Sequence, residues 1–133
     1  MSEENVEIAK KAIDAFSRRD VEACAELVTT DFELVPALAA AIESEIFRGR
    51  EGIEAYFGSV SDAYEETSLH GEEFRDLGGS LLVVFEIEAR GRGSGVPIAG
   101  RETAIVDFRD GKISRIRGYF NNGEALRAAG LSE

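Results

Sequence analysis

The stretch that decides the fold is residues 81–120, which read LLVVFEIEARGRGSGVPIAGRETAIVDFRDGKISRIRGYF. It contains three apolar, β-branched segments separated by two glycine-containing turns, at residues 91–95 and 109–111. Apolar segments interrupted by glycine turns at this spacing are typical of consecutive antiparallel strands. We therefore predict three strands of one meander, over residues 81–90, 96–108 and 113–120.

The first half of the chain has helical periodicity instead. Apolar residues recur every three or four positions from Val6 to Phe16, which predicts a first helix. Asp20 is placed to cap a second helix over residues 21–28. A third helix follows Gly49, with an apolar stripe made of Ile53, Tyr56, Phe57, Val60 and Tyr64.

Between the second and third helices the pattern predicts one short strand. Thr29-Thr30-Asp31 is expected to end the second helix, and Phe32–Val35 to form a strand that Pro36 stops. Residues 37–46 are ambiguous. Helices followed by antiparallel strands predict an α+β fold, formed by one domain over residues 1–133.

The composition excludes several classes of function. The chain has 26 acidic against 15 basic residues and a net charge of −11, which disfavours nucleic acid and anionic membrane surfaces as partners. One cysteine, Cys24, fits a reducing cytoplasm. With one cysteine and one histidine, His70, the usual zinc ligand sets are excluded. We expect no metal and no cofactor.

Four segments together are similar to a known family. They are residues 15–20 (AFSRRD), 47–53 (FRGREGI), 110–113 (DGKI) and 124–131 (EALRAAGL). In this order the chain resembles the SnoaL-like polyketide cyclase branch of the nuclear transport factor 2-like superfamily. The resemblance implies a cone-shaped cystatin-like α+β roll. In such a fold a strongly curved antiparallel or mixed sheet wraps around the N-terminal helices and encloses an apolar pocket, often in a homodimer.

The hairpins predict which side chains face inward. A two-residue tip at Gly93-Ser94 pairs Phe85 with Glu102, and a three-residue turn at 109–111 pairs Ala104 with Ile116. Alternation then places one apolar face toward the cone interior. With residues of the helices and the first strand, the predicted pocket lining is Phe16, Val35, Tyr56, Phe57, Tyr64, Val83, Phe85, Ala104, Val106, Ile116, Gly118 and Phe120.

The opposite face of the predicted sheet is polar and mixed in charge. It is expected to face water or a partner subunit, which makes a homodimer through this outer face a prediction. Its members are Glu86, Glu88, Arg101, Thr103, Asp107, Arg115, Arg117 and Tyr119.

Glu102 is the one acid on the apolar face. A carboxylate in an apolar pocket has a raised pKa, which suits a general acid or base near neutral pH. We therefore take Glu102 as the candidate catalytic residue, with Tyr56 or Tyr64 as a hydrogen-bond donor. The alternative is an ion pair between Glu102 and Arg48 or Arg50.

The resemblance does not supply the residues used by its catalytic members. The positions of the steroid isomerases' tyrosine and two aspartates resemble Ala12, Val35 and Ala104 here, and the aspartate of cyclases and epoxide hydrolases resembles Gly118. Three functions stay open. They are binding of a small apolar molecule, a lyase, isomerase or cyclase reaction using Glu102, and a dimeric interaction module. Residues 37–46 would serve as a lid or as a plug.

Overall fold

The computed structural model of the protein describes residues 2–37 and 46–130. Its helices and strands follow the predicted order, with helices first and a meander after them. They are α1 (Ser2–Arg18), α2 (Val21–Leu27), β1 (Val28–Val35), β2 (Phe47–Arg48), α3 (Gly49–Ala63), β3 (Tyr64–Asp76), β4 (Ser80–Gly91), β5 (Pro97–Arg109), β6 (Lys112–Tyr119) and α4 (Asn122–Ala128).

In the described part of the chain, six strands form one mixed sheet in the order β2-β1-β6-β5-β4-β3. The β1–β6 pair is parallel and the other pairs are antiparallel. Side-chain caps begin two of the helices, because Asp20 accepts a hydrogen bond from the Ala23 N–H and Asn121 accepts one from the Glu124 N–H. The predicted α+β class, with a mixed sheet that is not closed, is confirmed.

The two hairpins differ in how well their register was predicted. Phe85 pairs with Glu102 and Val83 with Ala104, as predicted. In the next hairpin Ala104 pairs with Gly118 rather than with Ile116, so that register was wrong by two residues.

The cause of this shift is the turn between β5 and β6. Asp110 and Gly111 both have positive φ, 54° and 79°, between the paired residues Arg109 and Lys112. They therefore form a two-residue hairpin turn of the kind that Asp-Gly favours. The register also shifts by one residue between Asp107 and Phe108. Because the net error is two residues, each side chain keeps its predicted face.

Three predicted boundaries were wrong near β1 and α3. Residues 29–31 belong to β1, whose Val28 pairs with Ile113 of β6. Phe47 and Arg48 form a short strand against β1 that the sequence pattern did not indicate. Tyr64 begins β3 instead of extending the stripe of the third helix. In each case pairing with a strand distant in sequence determines the conformation.

Apolar side chains are buried on both faces of the sheet. The larger core lies on the inner face, between the sheet and α1, α2 and α3, and includes Phe32, Ile53, Phe57, Leu81 and Ile113. A smaller core lies on the outer face, where α4 covers Leu82, Val84 and Ile105 with its own Ala125 and Leu126.

The outer core corrects the prediction for two residues. Thr103 is 2% exposed and donates a hydrogen bond to the Asn122 side chain, and Tyr119 packs against the outer core. Thr103 is therefore covered by α4 rather than by water, and Tyr119 is partly buried against the same core. The remaining outer face carries ion pairs such as Arg101–Glu72 and Arg115–Asp107.

Candidate active site on the inner face of the sheet

Glu102 lies on β5, next to Phe85 of β4, on the inner face of the sheet. It is partly buried, and this burial raises the pKa of its carboxyl above the usual range. Within residues 2–37 and 46–130 the Glu102 carboxylate has neither an ion-pair partner nor a hydrogen-bond partner. Arg48 pairs with Glu33, and Arg50 pairs with Glu22 and Glu54. The alternative in which one of these arginines neutralises Glu102 is therefore wrong.

Of the two candidate tyrosines, Tyr56 lies near Glu102, whereas Tyr64 pairs with Gly91 near the other end of β4. Tyr56 of α3 has its pKa raised to about 12, first by burial, then by the negative charge of Glu102 and by Tyr64. Tyr56 therefore keeps its proton and remains a hydrogen-bond donor throughout the neutral range. The fold therefore brings Tyr56 of α3 near Glu102 of β5. The residue of β3 in line with Glu102, through Phe85, is Gly71 and not Tyr64.

An aromatic wall stands beside this group. Phe16 of α1 contacts Phe57 edge-on, with ring centroids 5.4 Å apart, and Tyr56 lies 6.0 Å from Phe57 and 5.5 Å from Phe47. Edge-on and tilted arrangements are the favourable ones for aromatic pairs. The wall holds Tyr56 against the inner face of the sheet.

The remaining residues of the predicted lining fall into three groups. Val83, Ala104 and Val106 are buried in the inner core, and Phe85 and Ile116 pack against it. Val35 lies beside Arg117, on the outer face, and its neighbour Leu34, beside Ile116, points inward instead. Gly118 is buried against Ala37, whereas Phe120 is 50% exposed.

The inner face is open at Gly100. Gly100 is exposed, and a Cβ placed on it would meet no atom within 4 Å. At this point β5 pairs with β4 on one side only, because its pairing with β6 begins at Thr103. Ile98, on the same face of β5, is 42% exposed. Phe120 follows Tyr119, the partner of Thr103, and so lies near the Glu102 end of this opening. Exposed apolar side chains therefore border an unfilled strip that begins at Glu102.

A second concavity, which the sequence did not reveal, lies where α1 ends near the β4–β5 hairpin. This groove of about 760 Å³ is lined by Ser17, Arg18, Arg19, Glu65, Glu66, Thr67, Ser68, Glu88, Ala89, Arg90, Pro97, Ile98 and Ala99. Arg19 donates hydrogen bonds there to the hydroxyls of Ser61 and Thr67. The sequence shows only two adjacent arginines at a helix end, and nothing in it separates Arg19 from Arg18.

The other chemical groups considered in the sequence take no part in this site. His70 is exposed on β3, and Cys24 is fully buried in the inner core, where burial raises the pKa of its thiol to about 12. No group of His, Cys, Asp or Glu in the described ranges is arranged to hold a metal ion. Nor does any helix there have the length and apolar character needed to cross a membrane. The predicted lid or plug lies outside the described residues, apart from its end residues Ala37 and Ile46.

Comparison with known proteins finds solved structures of similar fold. Three similar solved structures are TerC co-crystallised with polyporic acid, a putative SnoaL-like polyketide cyclase from Jannaschia sp. CCS1, and an epoxide hydrolase from M. tuberculosis described as LEH-like. Their identities to this chain are 22%, 16% and 12%, and their TM-scores are 0.77, 0.76 and 0.71. The matches cover 96%, 89% and 90% of this chain, and 97%, 85% and 84% of theirs.

At these identities the likeness establishes the fold alone. No curated protein matches the chain. The model of the SnoaL-like domain family, however, matches residues 9–116, which include the second half of α1 and most of the sheet. The chain therefore belongs to the SnoaL-like domain family.

Proposed function

We propose that the protein binds a small, largely apolar molecule on the inner face of the sheet, against Glu102. The observation that carries this proposal is the open strip over Gly100, bordered by the exposed Ile98 and Phe120. Contiguous exposed apolar groups beside a few polar ones are typical of small-molecule sites. The solved TerC structure with polyporic acid supports the proposal, since a protein of this fold was crystallised with a small organic molecule.

Filling the strip tests this proposal. We expect the Gly100→Leu variant to bind prodan, an uncharged fluorescent naphthalene ketone, at least tenfold more weakly than the unaltered protein, because leucine occupies the space over the strand. Gly58→Leu is the matched control, since Gly58 lies on α3 and a Cβ there also meets nothing within 4 Å. Fluorescence titration measures the prodan affinity of both variants. Equal affinities of the two variants, or no binding to the unaltered protein, would contradict the proposal.

A second candidate function is proton transfer, favoured by the grouping of Glu102 with Tyr56. In this reaction the Glu102 carboxylate removes a proton from the carbon next to a ketone or aldehyde carbonyl, and the C–H electron pair forms an enolate. The Tyr56 hydroxyl donates a hydrogen bond to the enolate oxygen. Glu102 then returns the proton to carbon. Isomerases, lyases and cyclases that act on carbonyl compounds share this first step.

Hydrogen exchange tests the second candidate without knowledge of the natural substrate. We expect the protein to accelerate deuterium uptake by 2-tetralone in D₂O, and Glu102→Gln to reduce this acceleration by about 10²-fold or more, the usual contribution of a general base. Because the carboxylate is the active form and its pKa is raised, activity falls as pH decreases through that raised pKa.

The matched control for this exchange is Glu86→Gln, on the outer face of β4. Nuclear magnetic resonance follows the exchange. If the Glu102→Gln and Glu86→Gln variants catalyse deuterium uptake by 2-tetralone at the same rate, proton transfer by Glu102 is excluded. That outcome would leave the proposal of prodan binding unaffected. The homodimer through the outer face remains a prediction, which light scattering decides.

A further inference from the structure

The groove at the end of α1 meets the strip beside Glu102 at Ile98, but its polar group, Arg19, is not one of the strip's. Its wall on β5 consists of Pro97, Ile98 and Ala99, and Ile98 is four residues from Glu102. At the usual rise of a strand, four residues correspond to roughly 13 Å. The opposite wall is formed by the end of α1, where Arg19 lies.

Arg19 is held in this groove at a conformational cost. It is the residue after α1, and its φ of 54° is in the left-handed region that glycine usually occupies at this position. The Arg19 N–H donates to the Phe16 carbonyl, which closes the helix end. The Arg19 side chain lines the groove and contacts Ser61 of α3 and Thr67 of β3, so the end of α1, α3 and β3 meet at its guanidinium.

The Arg19 guanidinium has no acidic partner in the part of the chain that the structure describes. Its Nε and Nη2 donate to the Thr67 hydroxyl at 3.2 and 3.1 Å, and its Nη1 donates to the Ser61 hydroxyl at 2.7 Å. The adjacent Arg18 pairs with both Asp14 and Asp20. In a chain with a net charge of −11, a positive charge bonded only to neutral hydroxyls is unusual.

Hydrogen-bond accounting shows that donors are in excess around Arg19. A guanidinium has five N–H groups, and Arg19 uses three of them. The hydroxyls of Ser61 and Thr67 accept from Arg19, and each still carries a proton for which residues 2–37 and 46–130 offer no acceptor. Two N–H groups of Arg19 and the O–H groups of Ser61 and Thr67 are therefore left without a protein acceptor in that part of the chain.

We propose that Arg19, Ser61 and Thr67 form a binding site for the carboxylate of an otherwise apolar molecule. A guanidinium with neighbouring hydroxyls matches the two oxygens of a carboxylate. The apolar part of the ligand lies along Ala89, Pro97 and Ile98, which line the same groove. This site is additional to the one proposed at Glu102 and does not depend on it.

The remaining charges of the groove restrict the class of ligand. Glu65, Glu66 and Glu88 also line it, and of these Glu66 lies near Arg90 at 3.9 Å. Arg18 also lines the groove but pairs with Asp14 and Asp20, so Glu65 and Glu88 keep their charges unpaired in the described part of the chain. These two carboxylates repel a multiply charged anion more strongly than a singly charged one. The site therefore selects a monocarboxylate with a hydrocarbon body, rather than a phosphate ester.

Decanoate and its uncharged methyl ester test this proposal by isothermal titration calorimetry. We expect the unaltered protein to bind decanoate at least tenfold more tightly than methyl decanoate. Arg19→Gly, which removes the guanidinium and suits the positive φ, should lose this tenfold preference. Arg109→Gln is the matched control and should retain it, because Arg109 lies outside the groove and pairs with Asp31.

A second variant keeps the test decisive if Arg19→Gly fails to fold. In Ser61→Ala combined with Thr67→Val, Arg19 is retained but the two hydroxyls are removed, and decanoate affinity should fall at least threefold. The proposal is overturned if decanoate and its ester bind the unaltered protein equally or not at all. It is also overturned if decanoate affinity is unchanged in a folded Arg19→Gly variant and in the double variant.

Discussion

Replacing Phe57 by alanine is expected to lower the free energy of unfolding by about 3–5 kcal/mol, the usual cost of removing a buried phenylalanine side chain. Phe57 is 6% exposed in the inner core, and its ring contacts Phe16 edge-on and Tyr56 at a tilt. Alanine leaves a cavity between α1 and α3 that these rings cannot close without leaving their packed positions. Tyr56 loses a neighbour at the same time.

Chemical denaturation measures this loss, and Phe120→Ala is the matched control. Both phenylalanines belong to the predicted pocket lining, but Phe120 is 50% exposed, so its replacement should change stability by no more than about 0.5 kcal/mol. If Phe120 borders the binding site, prodan affinity should show the opposite order, with the larger loss in the Phe120→Ala variant. Equal stability losses for the two variants would contradict the assignment of Phe57 to the core and Phe120 to the opening.

Replacing Gly118 by alanine is expected to lower the free energy of unfolding by about 1–3 kcal/mol, the usual cost of overpacking a core. A Cβ at this position lies 2.9 Å from the backbone nitrogen of Ala37, and backbone cannot move aside as a flexible side chain can. The resemblance places the aspartate of cyclases and epoxide hydrolases here. The close approach of Ala37 therefore excludes that aspartate without a shift of the backbone.

Gly100→Ala is the matched control, since Gly100 is also in a strand but has no atom within 4 Å of its Cβ position. We expect it to be neutral or to stabilise by up to about 1 kcal/mol, because alanine restricts the unfolded chain. Thermal and urea unfolding of both variants give the comparison. A Gly118→Ala variant as stable as Gly100→Ala would show that Ala37 does not pack on β6 as described.

The two faces of the meander could be predicted from the sequence because side chains of a strand alternate with a period of two. Val83, Phe85 and Ala104 needed only this alternation and the hairpin tip at Gly93-Ser94 to be placed correctly. The β5–β6 register was wrong by two residues, and the faces were still correct for the same reason. Alternation did not place Val35 on the correct face, because the face of each β1 residue is set by pairing with β6 and not by a hairpin.

Glu102 was identified from the sequence because a single charge in an apolar row stands out whichever register applies. Its lack of an ion pair could not be predicted, since Arg48 and Arg50 were equally plausible partners until their own acids were located. Its proximity to Tyr56 depends on how α3 packs against β1, β2 and β3, which involves contacts between residues far apart in the chain.

The sequence by itself determined the fold class, from the helical periodicity of its first half and the strand pattern of residues 81–120, and that strand pattern also determined the inner face. Helical periodicity, apolar alternation and glycine turns are local features. The net charge of −11 also predicts that nucleic acid is not a partner. Only the tertiary structure decided which groups are neutralised and which are not. Glu102 and Arg19 differ from the neighbouring acids and arginines in their partners, not in their sequence context, and partners are set by long-range packing.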